Sequence, residues 1–344
     1  MRWDNLRLTG DGQDAPDLPL FARGAVARTF DTPEFRGMTF YEIHARTIVN
    51  RVPAASHVPF SWTVNPYRGC AHACTYCFAR KSHEYLDLDA GRDFDSKIVV
   101  KVNAGELVRK ELAAPRWGGH PIAMGTNVDC YQRAEGRYGL MRGILAALRD
   151  AANPFSILTK GSLILRDLDL LTEAAEVTDV GVALSIGFLD QDLWRSVEPG
   201  TPRPAKRLEV CATLTGHGLS CGVLMAPILP YLTDSPQALA AAVGRIAEAG
   251  ATHVTPIVLH LRPGAREWFL AWLGREHPRL VPRYLELYGR GAYAPAAYQA
   301  RVEAEVAELA RRHGVGRPAV PRVRRARPAP APPVDAGPEQ LTLL

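Results

Sequence analysis

From residue 61 onward the chain repeats one pattern, a short apolar and β-branched run followed by a longer stretch with helical period. The runs fall at Trp62–Asn65, Pro121–Gly125, Phe155–Thr159, Val180–Ile186, Ser220–Met225 and Val254–His260. Helix-like segments separate them at Ala104–Leu112, Leu140–Ala151, Asp167–Ala175, Ala205–Gly216 and Gln237–Ala249. Strands alternating with helices of this length predict an α/β fold with a parallel sheet, because a parallel neighbour is reached only through a long crossover. Six units are too few to close an eight-stranded barrel. The expectation is a partial (β/α)6, TIM-like barrel over residues 61–262, with its chemistry at the C-terminal ends of the strands.

The flanks read differently. Residues 1–60 lack a clear period and are expected to form an irregular N-terminal leader. Glu267–Leu273 and Tyr298–His313 are helix-like and define a C-terminal extension over 263–313. Residues 314–344 hold seven prolines between Pro318 and Pro338 and five arginines, too little apolar surface for a core, and are expected to be a disordered tail.

The charge follows the same division. The chain has 41 basic and 36 acidic side chains, a net +5. From Arg311 onward there are seven arginines against Asp335 and Glu339, also +5, so residues 1–310 are neutral. The body therefore carries no general electrostatic attraction to nucleic acid or acidic membranes; only the tail does. No apolar run approaches the ~18 residues of a membrane span. The first residues lack the apolar stretch of a secretory signal, so a cytoplasmic location is expected.

Three of the six cysteines, Cys70, Cys74 and Cys77, fall within eight residues as C-x3-C-x2-C. Thiolates are soft ligands that suit iron–sulfur clusters or zinc. A structural zinc site wants four ligands. His72 is too near in sequence to be an obvious fourth, and no second C-x2-C follows. Three thiolates fit a cubane with one iron left open; a zinc clip or three unrelated thiols are the alternatives.

The phrase around these cysteines, Asn65-Pro66-Tyr67-Arg68-Gly69-Cys70-Ala71-His72-Ala73-Cys74-Thr75-Tyr76-Cys77-Phe78-Ala79-Arg80, resembles the radical S-adenosylmethionine (SAM) superfamily, in its branch related to spore photoproduct lyase. The similarity runs from about Phe35 to about Tyr298 and, more narrowly, resembles an actinobacterial group of radical SAM proteins. It implies that Cys70, Cys74 and Cys77 hold a 4Fe-4S cluster whose open iron takes SAM. It also implies that one-electron cleavage of SAM yields a 5'-deoxyadenosyl radical that abstracts hydrogen from a substrate. A reductant of flavodoxin or ferredoxin type would supply the electron.

The same resemblance assigns further roles. Tyr76 would pack near the adenine. Gly125-Thr126-Asn127-Val128-Asp129-Cys130-Tyr131-Gln132 resembles the family's G-T-x-T-D-P-Y-Q word, placing Gly125, Thr126 and Asp129 near the SAM amino group, with Val128 and Cys130 departing from the pattern. Lys160 would approach the SAM carboxylate and Ser185 the ribose. Glu198 would receive SAM hydroxyls, with Arg207 as its ion-pair partner or near the carboxylate; a surface salt bridge is the plainer alternative. Backbone around Ala226 would line the adenine. His260 and Arg262, at the end of the sixth run, would meet substrate or cap the strand.

The substrate is less determined. In spore photoproduct lyase a cysteine in the second-strand segment returns a hydrogen atom. Alignment on Asp129 puts that position at or beside Thr126, which makes strict photoproduct lyase activity doubtful. Cys130 is a displaced candidate donor, although a lone cysteine is more often a small buried hydrophobe. Cys211 and Cys221 read as core. The terminus, Gln340-Leu341-Thr342-Leu343-Leu344, looks like a sliding-clamp binding peptide on a flexible tether. Together these features favour an enzyme acting on DNA in lesion repair. The rivals are a radical SAM enzyme with a peptide, tRNA or small-molecule substrate, and a non-catalytic, metal-bound DNA or clamp adaptor.

Overall fold

The computed structural model describes residues 6–7, 25–53, 56, 58–289 and 291–316. Twelve strands occur among them: β1 Leu6–Arg7, β2 Val26–Arg28, β3 Thr39–Ala45, β4 Val49–Arg51, β5 Trp62–Val64, β6 Tyr67–Arg68, β7 Lys97–Lys101, β8 Ile122–Met124, β9 Phe155–Thr159, β10 Val180–Ser185, β11 Cys221–Ile228 and β12 Val254–Val258. They form two sheets. The larger has the order β12-β11-β10-β9-β8-β5-β4. Its six members from β5 to β12 pair in parallel and in chain order, and β4 adds antiparallel to the β5 edge. The sheet is thus an open, six-unit barrel wall, as the alternation predicts. No helix among the described residues is long and apolar enough to cross a membrane.

Local chemistry explains the elements. In β9, Phe155, Ile157 and Thr159 are buried while Ser156 is exposed, the period-two pattern of a strand with a packed face. The helix Leu140–Asp150 buries Met141, Ile144, Leu145 and Leu148 at helical spacing. The helix Pro236–Glu248 starts on a Ser235 hydroxyl that accepts the Ala238 N–H at 3.2 Å, with Pro236 in the first turn, where its missing N–H costs nothing. The C-terminal helix Ala296–Arg312 packs on that helix and on β12, covering the last unit.

The expectation of an irregular leader over residues 1–60 is corrected where the structure describes strands, at β1 to β4. β3 pairs in parallel with β7 from Thr39↔Lys97 to Ile43↔Lys101. With β1, β2 and β6 these strands make a second, five-stranded sheet beside the barrel. Phe40, Ile98 and Val100 bury their side chains there in a cluster that also holds Cys70 and Val128. The pairing partner lies far along the chain, so residues 31–60 carry no local period that would disclose it. Residues 317–344, with Gln340–Leu344, lie outside the described residues.

Candidate active site

The three cysteines lie on the loop that follows β5 and β6, and hydrogen bonds from other segments fix its backbone. Cys70 N–H donates to the Phe94 carbonyl at 2.9 Å, Thr75 N–H to the Val197 carbonyl at 3.0 Å, and Gly200 N–H to the His72 carbonyl at 3.1 Å. The buried Gln132 amide accepts from Ala71 N–H and donates to the Gly69 carbonyl, both at 2.9 Å. Arg80, fully buried, donates to the Cys74 carbonyl at 3.1 and 2.9 Å, and to Asp95 at 2.9 and 3.1 Å. Its guanidinium also faces Phe94 and Trp268, at 5.2 and 4.8 Å from their ring centroids. Cys70 packs in the core of the smaller sheet and Cys74 in that of the barrel, while Cys77 touches both. The loop therefore sits on the seam between the two cores.

Asp129 ties this loop to the next strand ends. One carboxylate oxygen accepts from Tyr131 N–H at 2.8 Å and the Thr159 hydroxyl at 2.6 Å. The other accepts from Lys160 N–H at 2.6 Å and lies 3.3 Å from His72 Nδ1. Burial pushes this carboxyl up, but the His72 ring and the donors from Lys160 and Thr159 outweigh it and hold its pKa at about 2. Both oxygens of Asp129 are engaged by the protein, so the carboxylate organises the site. His72 turns its Nδ1 edge to Asp129.

Lys160, Ser185 and Ala226 form a second chain of contacts. The Lys160 ammonium donates to the Ser185 hydroxyl at 2.8 Å, and that hydroxyl donates to the Ala226 carbonyl at 2.8 Å. The ammonium also lies 5.6 Å from the Tyr76 ring centroid. The strand ends β9, β10 and β11 thus present one cation to the aromatic residue between Cys74 and Cys77. Gly125, at the end of β8, has φ +76°, and a Cβ there would meet the Leu158 carbonyl oxygen at 1.8 Å. Only glycine fits. Thr126 follows it, half-buried.

Glu198 and Arg207 are a buried pair, not a surface salt bridge, with their side chains almost fully enclosed. Arg207 also donates to the carbonyls of Pro202 and Ser185 at 2.8 and 3.0 Å. Glu198 accepts from the Tyr76 hydroxyl as well. Burial acts to raise the Glu198 carboxyl, but the charges of Arg207 and Lys160 and its hydrogen bonds leave it below the usual range. Desolvation and the Glu198 charge push the Tyr76 phenol well up. Cys130 is 0% exposed and packs in the barrel core. Its thiol is enclosed by that core. Cys211 and Cys221 are buried as expected.

Known proteins match this chain in sequence and in architecture. The family model described as "Radical SAM superfamily" matches residues 64–243, just over half of the chain. The chain belongs to the radical SAM superfamily. Among its relatives, uncharacterized proteins of Mycobacterium tuberculosis and Mycobacterium bovis are 48% identical over 331 residues, covering 95% of this chain and 97% of theirs. An uncharacterized protein of Methanocaldococcus jannaschii is 31% identical over 195 residues, 56% of this chain and 69% of its own. Among solved structures, spore photoproduct lyase complexed with dinucleoside spore photoproduct superposes with a TM-score of 0.60 at 15% identity, covering 89% of this chain and 85% of that one. A double mutant of that enzyme with bound AdoMet and dinucleoside spore photoproduct gives 0.56 at 15%, covering 75% and 76%. At such identities the likeness is one of fold.

As a radical SAM protein, the chain has a donor set that fits a cluster. Cys70, Cys74 and Cys77 are free thiols on one braced loop. Burial drives all three thiols up, Cys74 to about 12, so the unloaded loop favours neutral sulfur and an iron centre would displace those protons on binding. Among the described residues no three His, Cys, Asp or Glu side chains converge on a single metal ion. A cubane takes one thiolate at each of three separate irons and needs no such convergence. Membership in this superfamily carries SAM and a 4Fe-4S cluster as its cofactors. Arg80 and Gln132 are the site residues that the sequence reading missed. Both stand inside the motif words, but nothing in the sequence shows that their side chains turn back onto the loop.

Proposed function

We propose that the protein cleaves SAM reductively at a 4Fe-4S cluster held by Cys70, Cys74 and Cys77, and that it acts on damaged DNA. The observation that carries the first part is the placement of three free thiols on one immobilised loop at the mouth of an open parallel barrel. When bound, the cluster supplies the single electron that breaks the SAM sulfonium and so initiates hydrogen abstraction. The residues around it bind and orient. The Lys160 ammonium, held by Ser185, offers a cation to the SAM carboxylate. Gly125 and Thr126 offer backbone groups to the amino end, and Asp129 keeps that turn in place. Tyr76 and the Ala226 backbone offer an apolar wall and a carbonyl to the adenosyl end. Glu198 and Arg207 hold Tyr76 from behind. In this arrangement Glu198 acts through Tyr76.

Support for a DNA substrate is the shared fold with spore photoproduct lyase and the basic tail with its Gln340–Leu344 terminus. The tail would dock on a sliding clamp and bring the barrel to DNA in the cytoplasm, with a flavodoxin or ferredoxin type protein as reductant. The test is anaerobic reconstitution followed by incubation with UV-irradiated DNA and a strong reductant. Visible absorption of an iron–sulfur cluster, SAM cleavage and lesion loss are expected. No SAM cleavage would sink the enzymatic reading. Cleavage without lesion loss would move the substrate to another class.

A further inference from the structure

The mouth carries one group of side chains that the SAM site does not use. Among the described residues the exposed large hydrophobic side chains are Val58, Phe78, Tyr85, Val177, Leu285 and Tyr293. Two of the aromatic ones meet at a single arginine. Arg262 donates to the Tyr293 hydroxyl at 3.0 Å, and its guanidinium lies 5.7 Å from the Phe78 ring centroid. His260 meets the Tyr293 ring edge-on, with centroids 4.6 Å apart. Phe78 is the residue after Cys77, and His260 and Arg262 lead out of β12. The group therefore bridges the loop of the three cysteines and the last barrel strand.

This arrangement is braced. Leu261 N–H donates to the Ala292 carbonyl at 2.8 Å, and the Tyr288 hydroxyl to the Leu259 carbonyl at 2.7 Å. Arg266 donates to the carbonyls of Gly289 and Gly291 at 2.6 and 2.9 Å. On the other flank, a Cβ at Gly264 would lie 3.1 Å from Lys81 Cβ, so the turn after β12 rests on the helix that follows Cys77. Yet Phe78 and Tyr293 each keep 48% of their surface exposed. Burial, and then the Arg262 charge, lower the His260 pKa, which leaves the positive charge of this trio of neighbours on Arg262.

Two rings held open around one guanidinium have the chemistry of a stacking site. Aromatic faces accept any nucleobase, and arginine both stacks on a base and pairs with phosphate. The barrel body is neutral, so a strand of nucleic acid has to be held there by such local contacts rather than by general charge. We infer that Phe78, Arg262 and Tyr293 form a platform for an unpaired nucleobase, over which a single strand crosses the mouth beside Cys77. The inference rests on the nucleic-acid reading of the substrate and adds the place and the mode of contact.

The test uses the full chain, reconstituted anaerobically, and two fluorescent probes, a short oligothymidine and its abasic counterpart. Wild type should bind the oligothymidine more tightly by about tenfold. Tyr293→Ala and Arg262→Gln should lose that preference, and Tyr293→Trp should keep it. Visible absorption and thermal melting show whether each variant has loaded and folded. Should Tyr293→Ala fail those checks, Arg262→Gln decides in its place. Equal binding of both probes by wild type, or a preference that survives in folded Tyr293→Ala and Arg262→Gln, overturns the platform and leaves the nucleic-acid reading standing. Absence of binding to either probe and to UV-irradiated DNA overturns both.

Discussion

The Arg80 guanidinium donates two hydrogen bonds to the main-chain carbonyl of Cys74 and reaches Asp95 with the same group. A fully buried arginine thus holds the middle cysteine by its backbone, leaving the sulfur free. Replacing it leaves the carbonyls of Cys74, Ala90 and Gly91 and the Asp95 carboxylate without their donor. Arg80→Ala should cost about 3–5 kcal/mol, the usual range for breaking a buried pair. Urea melts of the apoprotein measure this, and iron per chain should fall in parallel. Arg80→Lys should recover only part of both, because an ammonium cannot span two acceptors in a planar fork.

Alanine at Cys70, Cys74 or Cys77 should abolish SAM cleavage and lower iron content. Cys130→Ala is the informative control. Its thiol is enclosed by the barrel core, so product formation should survive and the melting temperature should drop modestly. SAM cleavage persisting while product formation stops would instead make Cys130 the hydrogen donor.

Gly125→Ala meets two penalties at once, a left-handed φ of +76° and a 1.8 Å approach to the Leu158 carbonyl oxygen. A strained backbone alone costs about 1–3 kcal/mol. The second penalty forces β8 and β9 apart. Soluble yield should collapse, which fractionation of expressed protein would show; a well-folded Gly125→Ala protein would refute the geometry of this strand end.

The acid limb of stability should carry the signature of Asp129. Its carboxyl sits at about 2 in the fold against an ordinary value of 3.8. A depressed carboxyl stabilises the fold above its unfolded pKa, and that contribution is lost as pH falls through the folded value. The loss should therefore begin below about pH 4, continue toward pH 2, and amount to about 2 kcal/mol. Denaturant titrations of apoprotein across this window should show a shallower decline for Asp129→Asn than for wild type.

The barrel wall was legible because each of its strands is a short run with its own neighbours in sequence order. Phe155–Thr159 coincides with the reading to the residue, and most other runs differ only at their ends. Thr39–Ala45 was not legible, since its partner Lys97–Lys101 lies more than fifty residues away and neither segment has a turn signal that couples them. The cysteines announced themselves by spacing. Glu198 and Arg207 could be named as a pair, but their burial depends on Tyr76 and Pro202, which sequence does not bring together. Phe78 and Tyr293, 215 positions apart, both reach Arg262 only in the folded mouth.

The bonds from Val197 and Gly200 to the cysteine loop also set an order in time. During synthesis the three cysteines emerge long before residue 200. Until that later segment arrives, Thr75 N–H and the His72 carbonyl have no partners, and a Cβ-free backbone at Gly200 has not yet closed to the Ala71 oxygen. A nascent chain therefore exposes its thiols while the clasp that will hold them is still unmade. Chains cut short before Gly200 should therefore leave Cys70, Cys74 and Cys77 more open to thiol alkylation than the full chain does, which mass spectrometry of alkylated protein would show.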